Sequence, residues 1–196
     1  MDIDKLLHIQ SNTLTATKGK VLLSEPLMAD FYFGRSVVLL VEHEESEGSF
    51  GLIMNKKVDK RLNDIVKDFP HFDAPIFLGG PVQTDQLFFL HTLGDLIPNS
   101  LEVMNGLFWG GDMEVLQSMI ETGIVNNSQV RFFLGYAGWE TKQLTDELKR
   151  NSWLVSDASV NALFRTQSQL MWRHFVRRMG TNYEKWLKLP EDYSLN

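Results

Sequence analysis

Apolar residues along the chain fall in short runs separated by polar segments rich in glycine and proline, which is typical of a protein with many short strands. The run over 36–41 is apolar on both faces, so we predict a central, buried strand there. A second run over 50–55 follows the charged segment 42–48, and together they predict a hairpin. The other predicted strands lie at 18–23, 75–78, 87–91, 101–103, 107–109, 130–134 and 153–155.

Apolar residues spaced three or four apart predict helices between several of these strands. Asp112 is a good N-cap for one helix, and Gly123 lies just past its end. Asp59 could cap another helix, which Pro70 would end. The longest predicted helix runs over 158–179. Residues 1–17 have the pattern of an amphipathic lead-in.

The segment 130–153 is the unit around which the chain is organised. An apolar run comes first, and we expect Gly135 and Gly138 to break it, because glycine suits a sharp turn or a close backbone approach. Leu144 and Leu148 then lie four apart on a short amphipathic helix, which a new apolar strand follows.

The order of the elements predicts the fold class. Many short strands with a few interspersed helices, and no regular β-α-β-α alternation, favour a single α+β domain over a doubly wound sheet. The length of 196 residues and the apolar content of 43% suit one domain with its own core. We expect this domain to span 1–180, with 181–196 as a tail that Tyr183 and Trp186 dock onto it.

Charge and composition narrow the possible partners. The net charge is −6; residues 161–196 hold six basic and three acidic residues, which leaves −9 on residues 1–160. An acidic body repels a phosphate backbone, so direct DNA binding by it is disfavoured. The chain has no cysteine, no secretory signal and no apolar run near 18 residues, which predicts a cytoplasmic protein without a membrane partner.

Motifs spread from about residue 15 to 178 resemble those of the AlgH/YqgE family of bacterial proteins. Their order along the chain is specific, although each is weak alone. The matching segments are Arg35–Val38, Glu42-His43, Gly48, Gly51, Asn55, Leu78–Pro81, Leu90–Thr92, Leu134–Trp139, Gln143-Leu144, Glu147, Asn151, Trp153-Leu154, Leu163-Phe164 and Trp172.

The resemblance implies a compact α+β domain whose branched, mixed or antiparallel sheet curls into a small barrel, flanked by about four helices. It implies little about activity, because the family is largely uncharacterised. One branch has the label of transcriptional regulator, but the sequence contains no recognisable DNA-binding element. The acidic segment 44–47 and the tail after Gly180 depart from the family pattern.

Several polar and glycine residues are candidates for a ligand-binding site. Glycines in a turn after a strand, or just before a helix, can bind an anion through backbone N–H groups. Histidines with nearby carboxylates can bind a metal or transfer protons. Polar residues four apart on one helix can rim a pocket. The candidate ligand-binding residues are Arg35, His43, Asn55, Gly79, Gly80, His91, Tyr136, Trp139, Gln143 and Glu147.

Each of these candidate residues could instead have a purely structural role. The glycine segments match no phosphate-binding motif, the histidines have no metal-site spacing, and the acidic segment 42–47 is typical of a solvated turn. We therefore assign no catalytic residue, no metal site and no cofactor.

Three functional hypotheses follow from these residues. The first is a non-enzymatic regulatory or binding protein that recognises a small anionic ligand or a protein partner. The second is a small-molecule hydrolase that uses His43 and His91 with Asp85 or Glu147. The third is nucleic-acid binding through the C-terminal basic helix, whose arginines are Arg165, Arg173 and Arg177.

Overall fold

Ten strands form one branched sheet in a computed structural model of the chain, which describes residues 12–190. The strands are β1 (Val21–Ser24), β2 (Val37–Glu44), β3 (Gly48–Ile53), β4 (Lys57–Arg61), β5 (Pro75–Leu78), β6 (Val82–His91), β7 (Leu101–Met104), β8 (Leu107–Trp109), β9 (Val130–Trp139) and β10 (Trp153–Ser156). The helices are α1 (Leu62–Ile65), α2 (Met113–Glu121), α3 (Gln143–Lys149), α4 (Val160–Arg165) and α5 (Ser168–Arg178). Short 3-10 segments lie at Gly94–Leu96 and Thr181–Lys188.

The sheet has the order β10-β1-β2-β3-β9-β6-β8-β7, with antiparallel neighbours throughout, and it branches at β9. The branch is β5, which runs parallel to β9 and pairs with β4 on its other side. The expected α+β class and branched sheet are thus confirmed. The expected barrel is wrong, because β10 and β7 lie at the two ends of this order and the sheet is not closed.

Three apolar clusters pack on the two faces of the sheet, because strand side chains alternate between faces. The first joins the sheet to α5 and the 3-10 segment Thr181–Lys188, with Trp172 and Trp186 stacked in parallel at 6.2 Å. The second fills the space between β5, β6, β9 and α2. The third lies under α3 and contains Trp139 and Trp153.

Local sequence signals located most of the elements. The β2–β3 hairpin forms as predicted, with a bulge near Val41. Asp112 caps α2 by accepting hydrogen bonds from Glu114 and Val115 backbone N–H groups, and Gly123 adopts a left-handed φ of 71° beyond its end.

Two helix predictions are wrong in their extent. Asp59 lies inside β4, because that segment pairs with β5, and only the four residues of α1 are helical. The long helix expected over 158–179 is two helices, because Thr166 and Gln167 adopt extended backbone angles between them. Arg165 is therefore on α4 while Arg173 and Arg177 are on α5, so the three arginines do not share a helical face.

The lead-in expected over 1–17 falls mostly outside the described residues. Within 12–190, no helix combines the length and the apolar composition needed to cross a membrane.

Candidate ligand-binding cavity

An open cavity of about 860 Å³ lies where the β2–β3 hairpin, β9, β6 and β8 meet. Besides Trp139, four aromatic rings line it, one from each of four strands: Phe50, Phe88, Trp109 and Tyr136. Each ring is half-buried and contacts two of the others, with centroid separations of 5.4 to 5.9 Å. The four residues thus form a closed circuit of rings beside the cavity.

Strand register explains why these side chains meet. Glu42 is opposite Phe50 on β2 and β3, and Phe50 is opposite Gly138 on β9, so the three positions form one row across the sheet. Gly138 has no side chain, which leaves the row open above β9. A Cβ atom built there would lie 3.4 Å from Tyr136 Cε2, an ordinary contact, so the space above Gly138 is open enough for a side chain.

Gly135 is the reason that Tyr136 faces the cavity. It does not break β9, as the sequence suggested, but sits inside the strand with a left-handed φ of 69°. Phe133 and Tyr136 pack on the same apolar cluster although they are three residues apart, so the alternation of faces shifts at Gly135. The predicted break at Gly138 is likewise wrong, since β9 continues to Trp139.

Acidic side chains surround one end of the cavity. They are Glu42, Glu44, Glu47 and Glu140. Lys18 Nζ lies 3.6 Å from Glu42 Oε2 and offsets part of this charge. None of the described residues that line the cavity is Lys, Arg or His. The cavity is therefore electronegative, which disfavours the anionic ligand expected from the sequence.

Trp139, Gln143 and Glu147 do come together, but mainly as a hydrogen-bond network behind the cavity. Glu147 Oε2 accepts from the indole N–H groups of Trp139 at 2.9 Å and Trp153 at 2.7 Å. Glu147 Oε1 accepts from Gln143 Nε2 at 2.9 Å, and the Gln143 oxygen accepts from the Glu140 backbone N–H at 3.0 Å. This network fixes α3 to β9 and β10, while Gln143 and Trp139 also line the cavity.

Arg35 and Asn55 lie at a different place in the fold. The Arg35 guanidinium donates to the carbonyl oxygens of Leu189 at 2.7 Å and Pro190 at 2.6 Å, and it stacks over Trp172. Asn55 accepts from the Val37 backbone N–H and donates to the Arg35 carbonyl. Both residues hold backbone segments in place, so the structure does not bring them to the cavity.

The two glycines at 79 and 80 pack against β9 and do not form an anion cradle. The Gly79 N–H donates to the Leu134 carbonyl, and the Gly79 carbonyl accepts from Ile53, each at 2.8 Å. A Cβ atom on Gly79 would lie 2.1 Å from the Gly135 oxygen, and one on Gly80 would lie 2.2 Å from the Tyr136 carbonyl carbon. The glycines allow this close backbone approach.

The two histidines lie in separate environments, which removes the geometry of the hydrolase hypothesis. His43 Nδ1 is 2.6 Å from Ser49 Oγ, and the ring lines a smaller cavity of about 480 Å³ under the hairpin. His91 is fully buried, 2.9 Å from Ser100 Oγ and stacked on Phe108. Within residues 12–190, no three His, Asp or Glu side chains gather closely enough to hold a metal ion.

His91 should make the stability of the fold depend on pH. Its Nδ1 accepts from the Leu93 N–H and its Nε2 lies 3.0 Å from the Gly110 carbonyl, which suits the neutral ring. Burial lowers the pKa of His91, partly offset by the bond to Gly110. The unfolded chain then binds a proton more readily than the folded chain. The free energy of unfolding should be at its full value above neutral pH and should fall as the pH drops below the ordinary histidine pKa of about 6.5.

Urea unfolding of the wild type and of His91→Gln between pH 5 and 8 measures this contribution. We expect a shallower loss of stability toward acid pH in the variant, because glutamine does not titrate. The exposed His71 is the matched control, so His71→Gln should keep the wild-type slope. Equal slopes in all three proteins would contradict the role of His91.

Sequence reasoning missed three of the four rings: Phe50, Phe88 and Trp109. It also treated the acids of the hairpin as a solvated turn. The available signal was the position of Phe50 shortly after that acidic turn, on a strand expected to form a hairpin with the preceding strand. The sequence did not show that Phe88 and Trp109 would lie beside Phe50, because their positions depend on the order of the strands in the sheet.

The similarity of the chain to known proteins agrees with the architecture. A family model described as AlgH-like matches residues 21–184, which is most of the chain. The chain belongs to the AlgH-like family. The resemblance predicted from its motifs is thus confirmed.

Relatives of this AlgH-like chain match over nearly its whole length. A UPF0301 protein of Bacteroides fragilis is 45% identical over 97% of both chains. A UPF0301 protein of Chlorobaculum tepidum is 43% identical over 91% of this chain and 95% of its own. The names of these two relatives state neither a ligand nor a reaction.

Solved structures show the same architecture for the AlgH-like chain. The solution structure of the AlgH protein from Pseudomonas aeruginosa is 32% identical, with a TM-score of 0.70 over 88% of this chain and 94% of that one. A crystal structure of a Corynebacterium diphtheriae protein has a TM-score of 0.72 over 95% and 98%. Its identity of 23% shows a shared fold alone.

Proposed function

We propose that this AlgH-like protein is a binding protein without catalysis of its own, and that its ligand occupies the aromatic cavity. The observation that carries this proposal is the circuit of four half-buried rings that lines one cavity of about 860 Å³. Ligand sites are concave, mainly apolar, and contain a few polar groups. This cavity combines rings with the carboxylates and with Gln143 in that way.

The dispersal of the candidate hydrolase residues supports binding over catalysis. A general base must lie within hydrogen-bond reach of the group it activates. His43 contacts Ser49, His91 contacts Ser100, and Glu147 is occupied by two indoles and Gln143. These contacts support structural roles for all three residues.

A regulatory role, if it exists, fits binding through this cavity better than direct contact with DNA. The acidic body repels phosphates, and the three arginines are divided between α4, which contains Arg165, and α5, which contains Arg173 and Arg177. We propose that any regulation acts through a small ligand or a protein partner in the cavity, in keeping with the regulator label of one family branch.

A blocked cavity tests the proposal. Gly138→Leu should place an isobutyl group above β9, in contact with Tyr136 and Val82, because a Cβ there meets both at 3.4 and 3.7 Å. We would screen a fragment library of neutral, cationic and anionic compounds by NMR, following the Trp109 indole N–H signal. Compounds that shift this signal in the wild type should lose at least about tenfold in affinity in the variant.

Phe31→Ala is the matched control, because Phe31 is an aromatic residue that is 76% exposed and does not line the cavity. It should bind every compound as the wild type does. The proposal fails if the compounds leave the Trp109 signal unchanged, or if they bind to Gly138→Leu as tightly as to the wild type.

A further inference from the structure

The aromatic cavity has an apolar end and an acidic end. Phe88 and Trp109 stand on β6 and β8 at the apolar end, with their rings nearly parallel at 22°. The acidic end is where the β2–β3 hairpin meets the end of β9. There the Thr141 hydroxyl donates to the Ser46 carbonyl at 3.3 Å, which holds the hairpin beside Glu140.

The charge at the acidic end is only partly balanced. Four carboxylates line the cavity, and one of them, Glu42, forms an ion pair with Lys18; the side chains of Glu42 and Lys18 are 40% and 32% exposed. Like charges that line the same cavity repel one another, and a cation between them would relieve that repulsion. Because the acids come from two chain segments, Glu42–Glu47 and Glu140, the sheet pairing is what gathers them.

We infer that the cavity binds an organic cation, with its ammonium or guanidinium group between the hairpin carboxylates and Glu140 and its apolar part against the rings. This inference rests on the proposed function. Aromatic faces attract cations through the ring quadrupole, and carboxylates add a Coulomb attraction that rings alone do not supply. A free amine and a Lys or Arg side chain of a partner protein share this chemistry.

Three probes that differ only in their head group test the inference. Phenethylamine is cationic at neutral pH, phenethyl alcohol is neutral and phenylacetate is anionic, while all three present a phenyl ring to the aromatic end. We expect affinities to fall in that order, with about a tenfold preference for the amine over the alcohol. Added NaCl should weaken binding of the amine and leave the alcohol unchanged.

The triple variant E44Q/E47Q/E140Q separates the charge from the cavity itself. It should lower the affinity for the amine most of the way to that for the alcohol, because only Glu42 and the rings remain to attract the cation, while the alcohol binds as before. The matched control E114Q/E121Q/E184Q removes three exposed acids that do not line the cavity, two on α2 and one in the 3-10 segment Thr181–Lys188, and should keep the preference for the amine. Because both triple variants change the net charge by the same amount, the control isolates the effect of net charge from that of position.

The outcomes distinguish the two proposals. Equal binding of amine and alcohol to the wild type, or no binding of the amine up to about 10 mM, overturns the cation inference. The proposed function still stands in either case if Gly138→Leu blocks other fragments. An acetylated Lys-Phe-Lys peptide amide identifies the source: tighter binding than phenethylamine favours a partner protein, and weaker binding favours a free amine.

Discussion

Replacing Gly135 by alanine should lower the free energy of unfolding by about 3–5 kcal/mol. Gly135 lies inside β9 with φ at 69°, a conformation that costs an L-residue about 1–2 kcal/mol. A Cβ atom there would also lie 2.6 Å from the Gly80 oxygen and 2.7 Å from the Val82 oxygen. Both contacts are with backbone, so the neighbours cannot rotate away. Urea unfolding monitored by circular dichroism measures the loss.

Two other glycines separate the causes of this expected loss. Gly106 has φ at 78° with nothing within 4 Å of a built Cβ, so Gly106→Ala should cost only the conformational part, about 1–2 kcal/mol. Gly138 is not left-handed and has an ordinary contact distance, so Gly138→Ala should change stability by less than about 1 kcal/mol. If Gly135→Ala lowers the free energy of unfolding no more than Gly106→Ala does, the close approach of β9 to the Gly80 and Val82 backbone does not contribute to the loss of stability.

Trp186→Ala should destabilise the protein by about 3–5 kcal/mol. Trp186 is fully buried, stacks on Trp172 and meets Tyr183 edge-on at 5.2 Å. Removing the indole would leave a large cavity beside α5. Trp186→Phe keeps one ring and should cost about 1–2 kcal/mol. Thermal and urea unfolding, monitored by near-UV and far-UV circular dichroism, check both values.

The same variants test the proposed division into a domain over 1–180 and a docked tail. If the tail belongs to the cooperative unit, near-UV and far-UV signals should change together in every variant. Lys188→Ala alters an exposed residue of the same segment and should have little effect. A wild-type stability for Trp186→Ala would mean that the segment 181–188 adds nothing to the fold.

Gly138 links the stability of the fold to the proposed function. The glycines at 79, 80 and 135 are needed where backbones touch, whereas Gly138 leaves open the cross-strand row that it shares with Phe50 and Glu42. A side chain at Gly138 should therefore impair binding without unfolding the protein. A side chain at Gly135 should impair both. This contrast allows loss of binding to be assigned to the cavity.

Elements whose residues interact locally could be predicted from the sequence. The β2–β3 hairpin follows from two apolar runs around a polar turn, and α2 follows from Asp112 and Gly123 at its ends. One of the two wrong helix predictions has a non-local cause. The segment Lys57–Arg61 is a strand because it pairs with β5, which comes later in the chain, after α1. The break between α4 and α5 at Thr166 and Gln167 could not be predicted from the spacing of apolar residues.

The candidate site depended on non-local contacts in almost every part. Arg35, Asn55 and Glu147 look like binding residues in the sequence because they are polar at the ends of elements. In the fold they form hydrogen bonds with part-buried backbone carbonyl and indole groups. The spacing of residues in the sequence does not show which carbonyl or indole group would need such a hydrogen-bond partner.

By itself, the sequence determined the α+β class, most strands, the helix α2 and the AlgH-like family. Periodicity and capping depend on neighbouring residues, and the order of the motifs can be followed along the chain without knowing the fold. Only the tertiary structure decided the cavity. Phe50, Phe88, Trp109 and Tyr136 come from strands far apart in the chain, and the sheet order around β9 brings them together. The left-handed backbone conformation of Gly135 inside β9 then directs Tyr136 toward them, and the hydrogen-bonded register places the acids at one end.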